Sequence, residues 1–293
     1  MKPAFSTVAC PEWTLDEVAS AARRMSFDGV ELRTFGFGET QLNCDPMQTD
    51  PDKVRSIFSA CGVVPLSLAT SLRFDERVWP PVLGLAFMDD EAMIRRCRRI
   101  IEAASLAGIP YVRVYGYQLH GNESRKSAVR RIAARLRLAV DACRNTGVQL
   151  LLENGGSFAT SDQLLELIEQ SDMHNLLCAA YSAPVGRSAG ETLETASARL
   201  GEKLHVVKMK DIAEGRPVRF GDGGGRVQRD LHVLASIGFA GWVVVEHDRL
   251  WVPEACNAEE ALSGAAALIL GEHARHARQE RPPAATHSGS VRA

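Results

Sequence analysis

Residues 148–156 read VQLLLENGG, an apolar run that ends in an acid, an amide and two glycines. A strand covered on both faces is hydrophobic nearly throughout, because helices pack on one side and the core on the other. A carboxylate at the end of such a run marks where the strand meets a working surface. Burying Glu153 there without a partner would cost several kcal/mol, so the identity of that partner is the question for the rest of the chain.

Similar units recur on both sides of this stretch. Residues 4–9 form a short strand broken by Pro11. Thr14, with Glu17 three residues on, opens a helix whose apolar positions are Leu15, Val18, Ala19 and Ala22. A strand follows at 30–33. The pattern continues with a helix over 52–61 and a strand at 63–69, then a helix over 90–107, stopped by Gly108, and a strand at 111–115. A helix over 124–145 leads to the Glu153 strand. Beyond it come a helix at 161–170, a strand at 176–180, a helix at 191–200 and a strand at 205–210. A helix at 229–237, a strand at 242–246 and a helix at 258–276 complete the series. Eight evenly spaced strand–helix repeats without a linker predict an α/β fold, a single (β/α)8 TIM barrel over 1–277. Residues 278–293, RQERPPAATHSGSVRA, carry few large apolar groups and read as a disordered tail.

Composition narrows the function. A net charge of −2 over 293 residues lacks the basic footprint of a nucleic-acid or anionic-membrane partner. The first residues, MKPAFSTVACPEW, are neither a secretory signal nor a membrane span. Cysteines 10, 44, 61, 97, 143, 178 and 256 form no CxxC motif. They read as reduced thiols of a cytoplasmic protein, not as a zinc or disulfide framework. The expected partner is a small molecule, and a homo-oligomer is compatible with the sequence.

Strand residues alternate sides, so the inward set follows by parity. If Glu153 faces the barrel mouth, Leu151 and Gln149 share its side, and Leu150 and Leu152 face the helices. Placing the polar residue inward on the other strands gives Glu31 and Arg33, Arg113 and Tyr115, Lys208 and Lys210, and Glu246 with Val244. Acids Glu31, Glu153 and Glu246 thus meet bases Arg33, Arg113 and Lys208 at the strand ends where barrels keep active sites. The competing reading is a set of buried ion pairs, which stabilise a fold poorly.

His120, on the loop after the fourth strand, either reaches substrate or is solvated. Trp251 either walls a pocket or caps the barrel, and Tyr115 reads as a pocket wall. His205 and His247 read as structural. The segment FGDGGGR at 220–226 lacks a phosphate-binding signature and reads as a mobile loop, with Arg226 leaving a phosphate or carboxylate substrate open.

Five segments, FDGVELR (27–33), GIPYVRVYG (108–116), LLLENGG (150–156), HVVKMKD (205–211) and GWVVVEHDRLWVP (241–253), resemble the xylose-isomerase-like barrel family. That family comprises sugar isomerases and epimerases, with inosose dehydratases, 3-dehydroshikimate dehydratases and endonuclease IV. The resemblance implies a divalent cation, such as Mn or Mg. Its ligands would be glutamates ending strands five and eight, an Asp with a His or Asn at strand six, and a His on strand seven. Glu153 and Glu246 match the glutamates. Ala179-Ala180 and Ser182-Ala183 stand at the strand-six positions, and Lys208 stands where the histidine belongs. A cation needs several lone-pair donors, and an ammonium offers none. The expectation is therefore no metal, with Lys208 replacing the cation in a Glu153–Lys208–Glu246 cluster.

For activity the resemblance implies proton transfer next to a carbonyl, as in a sugar or polyol isomerase or epimerase. Glu153 and Glu246 would serve as base and acid, with Lys208 and Arg113 meeting the oxyanion. The alternatives are a lyase or dehydratase that begins with the same step, and a ligand-binding barrel without catalysis. Endonuclease activity is disfavoured, because the multi-metal site of those relatives is missing.

Overall fold

The computed structural model describes residues 1–36, 38, 41–76, 90–121, 123–173 and 176–279. Its barrel strands begin with β1 (Lys2–Ser6), β2 (Gly29–Arg33), β3 (Val64–Arg73) and β4 (Tyr111–Tyr115). They continue with β5 (Gln149–Glu153), β6 (Leu177–Ser182) and β7 (Leu204–Met209). A two-stranded hairpin, β8 (Ile212–Ala213) with β9 (Arg216–Pro217), precedes the last barrel strand, β10 (Trp242–Val245). The barrel closes in the order β1-β10-β7-β6-β5-β4-β3-β2, and every neighbouring pair is parallel. The TIM barrel expected from the eight repeats is the fold of the chain.

The helices are α1 (Leu15–Arg24), α2 (Pro51–Cys61), α3 (Asp90–Ala107), α4 (Arg125–Asp141) and α5 (Ser161–Ser171). They are followed by α6 (Ala183–Ser188), α7 (Leu193–Leu200), α8 (Arg226–Ser236), α9 (Ala258–Leu262) and α10 (Ala265–Gln279). Local chemistry sets their ends. Thr14 and Glu17 form the reciprocal capping box that starts α1. Asp50 accepts from the first free N–H groups of α2, and Gly62 closes that helix in the left-handed conformation.

The structure differs from expectation at a few boundaries. The helix expected from residue 191 starts at Leu193, because Glu191 is buried and accepts hydrogen bonds from Ser161 and Tyr181. The last helix is divided at Gly264, whose φ of 77° breaks the α-helical path between α9 and α10. Helix α10 reaches Gln279, and the remainder of the expected tail, 280–293, lies outside the described residues.

Two apolar layers hold the barrel. Ala4, Leu66, Leu151, Cys178, Ala180, Val206 and Val244 fill the interior below the mouth. The larger cluster lies between strands and helices and includes Leu150, Leu152, Val207 and Val245. The parity assigned from sequence therefore holds on β5, β7 and β10. All seven cysteines are free. Among the described residues, no helix is long and apolar enough to cross a membrane.

Candidate active site

Glu153 ends β5, Lys208 lies one residue before the end of β7, Glu31 sits in β2, and Glu246 directly follows β10. The backbone N–H of Glu246 still donates to the Met209 carbonyl at 2.8 Å, so its side chain keeps the inward parity of a strand residue. Closure of the barrel brings the four side chains together. Lys208 is wholly buried, and its Nζ is 3.0 Å from Glu31 Oε1, 3.0 Å from Glu153 Oε2 and 2.6 Å from Glu246 Oε1. The Glu153 contact is aligned as a hydrogen bond, whereas Glu31 Oε1 faces the ammonium without one. Two carboxylates around the lysine were expected from sequence; three are present.

The electrostatics follow from this cage. Burial alone would depress the Lys208 pKa, but the carboxylates of Glu153, Glu246 and Glu31 outweigh it and hold the amine protonated, well above its ordinary value. Burial would likewise raise the pKa of Glu246, but Lys208 and Lys210 hold it far below the ordinary carboxylate range. A fixed, charged Lys208 has no lone pair for a Schiff base.

Around this core each acid has further partners. Glu153 Oε1 accepts from the Tyr115 hydroxyl at 2.9 Å, and its Oε2 lies 3.4 Å from the Arg113 guanidinium. Burial, then the Glu153 charge, pushes the Tyr115 phenol well up, so it stays protonated. Arg113 donates to the Thr70 carbonyl at 2.7 Å, while its buried Nε–H has no partner. Lys210 donates to both oxygens of Asp248 at 2.7 and 2.9 Å and is 3.4 Å from Glu246 Oε2. Asn154, next to Glu153, accepts from the Ser182 N–H at 2.6 Å and donates to the Ser182 carbonyl at 3.2 Å. That exchange ties the ends of β5 and β6 together and fixes the carboxylate beside them.

A cavity of about 530 Å³ opens above these groups at the carboxyl ends of the strands. Glu31, Glu153, Glu246, Arg113, Arg33 and Tyr115 line it, whereas Lys208 lies beneath its floor. Trp251 also lines it, half exposed and edge-on to Phe35 with ring centroids 6.1 Å apart. His120 is placed elsewhere. Its Nε2 lies 3.6 Å from Asp75 Oδ2, outside the cavity lining. His205 bonds Tyr111 at the opposite end of the barrel, and His247 bonds the Cys256 carbonyl, both structural contacts.

Ser71, Arg73, Tyr117 and Asp248 line the cavity and had no role in the sequence reading. The first two lie on β3 beyond Ala69, where a register shift carries the strand past its expected end. Alternation alone does not reveal such a shift.

The resemblance to the xylose-isomerase-like family implies a divalent cation at this position. The point on which the three carboxylates converge is filled by an ammonium, and β6 supplies alanines and a serine there instead of an Asp. Among the described residues, no group of three His, Cys, Asp or Glu side chains is arranged to hold a metal. The residues present do not fit a divalent ion.

A sequence profile described as "Xylose isomerase-like TIM barrel" matches residues 19–268. The chain belongs to that family. No curated protein matches the chain by sequence. Among solved structures, L-ribulose 3-epimerase superposes with a TM-score of 0.76 at 16% identity, covering 98% of this chain and 99% of that one. The IolI protein, solved with a bound zinc atom, gives 0.72 at 17% identity over 94% and 99% of the two chains. The probable 3-DHS dehydratase AsbF from Bacillus anthracis gives 0.71 at 15%, over 92% and 99%. At these identities the likeness is one of fold, and the family's common framework carries a lysine-centred cluster in this member.

Proposed function

We propose that the chain is a sugar- or polyol-converting enzyme that transfers a proton next to a carbonyl, as an isomerase or epimerase, with Lys208 in place of a metal ion. The observation that carries this reading is the ammonium of Lys208 within 3.0 Å of three carboxylates, directly below a polar cavity at the strand ends. Sugar epimerases and a dehydratase among the structures of like fold favour the same substrate class.

The side chains divide the work. Three carboxylates at one point repel each other, and a buried cation between them offsets that repulsion and fixes their geometry. Glu246 lines the cavity and its Oε2 has a single 3.4 Å contact, to Lys210, so it serves as the base. Its depressed pKa keeps it ionised at neutral pH. As the C–H bond next to the carbonyl breaks, the proton goes to Glu246, the bonding pair forms a C=C bond and the carbonyl π pair moves onto the oxygen. Arg113, a permanent cation in the cavity wall, meets the developing oxyanion. The Tyr115–Glu153 pair faces the intermediate from another side and directs reprotonation. Protonation of the same carbon from the opposite face gives epimerisation; protonation of the former carbonyl carbon, with the neighbouring hydroxyl proton passing to the oxyanion, gives isomerisation. Loss of a β-hydroxyl as water instead gives the dehydratase outcome from the same intermediate.

The decisive experiment combines metal analysis with activity. Protein dialysed against chelator should interconvert ketoses or inososes at the untreated rate, and Glu246→Gln should abolish turnover. A stoichiometric divalent ion bound by Glu153 and Glu246, or turnover that vanishes with chelator, would sink the reading. Absence of turnover on every hydroxy-carbonyl compound tried would favour the non-catalytic barrel.

A further inference from the structure

One side of the cavity is cationic, and one of its cations lacks a counter-charge. Arg33 from β2, Arg73 and Ser71 from β3, and Arg113 from β4 line adjacent strands. Arg33 is only 7% exposed, yet among the described residues no carboxylate lies within 4.0 Å of it. Its guanidinium donates to the Ala69 carbonyl at 2.6 Å and to Ser71 Oγ at 2.7 Å, and stacks over Phe35 at 4.5 Å. Burial, then the like charge of Arg113, lowers its pKa, and the charges of Glu31 and Glu153, beyond ion-pair distance, offset this only in part. An unpaired buried charge is among the costliest groups to keep in a fold. Arg113 adds a buried Nε–H without an acceptor. Arg73 is half exposed, with Asp75 at 3.5 Å. The acids of the cavity are already engaged: Glu31, Glu153 and Glu246 on Lys208, and Asp248 on Lys210.

We propose that the β2–β3–β4 wall is a subsite for a carboxylate of the substrate, so that the reacting compound is a sugar acid or a carboxylated cyclic polyol and not a neutral sugar. This inference rests on the proton-transfer reading of the same cavity. A carboxylate bound by Arg33, Ser71 and Arg73 gives Arg33 its missing counter-charge. It also places the rest of a small hydroxy-carbonyl compound toward Arg113, Glu153 and Glu246, where the proton moves.

A carboxylate is favoured over a phosphate ester because of the loop after β7. Barrels commonly bind phosphate on backbone N–H groups of the loops after strands seven and eight. Here the N–H groups of Gly221 and Gly223 both donate to Asp211 Oδ2 at 2.9 Å, so the protein's own carboxylate fills that cradle. A Cβ at Gly223 would lie 1.7 Å from Asp211 Oδ1, so the contact leaves no room for a further group. What remains for an anion is the arginine wall, with planar forks suited to a carboxylate.

The test is isothermal titration of the full chain with D-fructose, D-fructuronate and D-fructose 6-phosphate, which differ at a single carbon. The expected result is D-fructuronate bound about tenfold or more tighter than D-fructose, the size of one charge-assisted hydrogen bond. In Arg73→Ala and Arg33→Met that ratio should fall below about threefold. Arg73 is exposed enough that its alanine variant decides the matter even if Arg33→Met does not fold. Equal affinities, no binding of D-fructuronate, or an acid preference that survives Arg73→Ala would overturn the subsite. Tighter binding of the phosphate ester than of the acid would overturn the carboxylate assignment. The two readings fail separately. Arginine-dependent acid binding without turnover of any ketose or keto acid removes the proton-transfer reading and keeps the subsite. Turnover of D-fructose with no acid preference does the reverse.

Discussion

Substituting Lys208→Met removes the ammonium but keeps an unbranched side chain of similar reach, so the loss is mainly electrostatic. In the native chain the ammonium is fully buried among Glu31, Glu153 and Glu246 at 3.0, 3.0 and 2.6 Å. Removing one partner of a buried ion pair costs about 3–5 kcal/mol, because the remaining charge is left uncompensated. At about 2.1 cal/mol/K per residue, the unfolding entropy of 293 residues is roughly 0.6 kcal/mol/K, so the expected fall in Tm is about 5–8 °C. The pH dependence is the sharper signature. Native Glu246 has its pKa depressed to about 2, so its contribution is present above the unfolded value and is lost only as pH falls toward about 2. Between pH 8 and 5 it gives no slope. Without Lys208, buried carboxylates crowd one another and prefer the protonated form, which moves their pKa above the unfolded value. The folded variant then binds more protons than its unfolded chain, and its stability rises as pH falls from 8 to 5. Thermal melts across this range measure both effects. A Lys208→Met/Glu31→Gln/Glu246→Gln companion, in which two of the three carboxylate charges are removed together with the ammonium, should recover much of the lost Tm at pH 8. A Lys208→Met variant that melts within about 1 °C of the native chain at pH 8, with no slope to pH 5, would show that the ammonium does not balance the acids.

Three further outcomes follow from the same geometry. Lys208→Met leaves oxygen donors converging on one point, so manganese chloride should raise its Tm while leaving that of the native chain unchanged; a shift in the native chain would contradict the lysine's role as stand-in. Tyr115→Phe removes the 2.9 Å hydrogen bond to Glu153, worth about 1.5–3 kcal/mol to a charged acceptor, and should lower kcat by roughly ten- to a hundredfold in a steady-state assay with KM little changed. Gly223→Ala would push a methyl group to 1.7 Å from Asp211 Oδ1, and a loss of about 1–3 kcal/mol should appear as a lower urea midpoint; an unchanged midpoint would mean that the loop yields freely.

The fold was legible because its cause is periodic: buried apolar strands recur between capped amphipathic helices, and eight such repeats close a barrel. Residues whose placement depends on parity were legible for the same reason, and Glu31, Glu153, Lys208 and Glu246 all point to one centre. What alternation does not carry is stagger. The third carboxylate at Lys208 comes from β2, across the barrel from β7, a meeting set by closure and not by spacing along the chain. The register shift after Ala69 similarly hid Ser71 and Arg73, which continue β3 into the cavity wall. Tertiary hydrogen bonding overrode helix periodicity at Glu191, which is drawn inward by Ser161 and Tyr181. Depth is the other quantity that a sequence lacks, and it changes the chemistry most. A lysine in a histidine's place reads equally well as an electrophile facing substrate or as a counter-ion beneath it. With no exposed surface and three carboxylates around its ammonium, Lys208 has no open direction toward substrate. In the proposed mechanism oxyanion stabilisation therefore falls to Arg113 in the cavity wall, and the lysine acts by holding Glu153 and Glu246 in register with it.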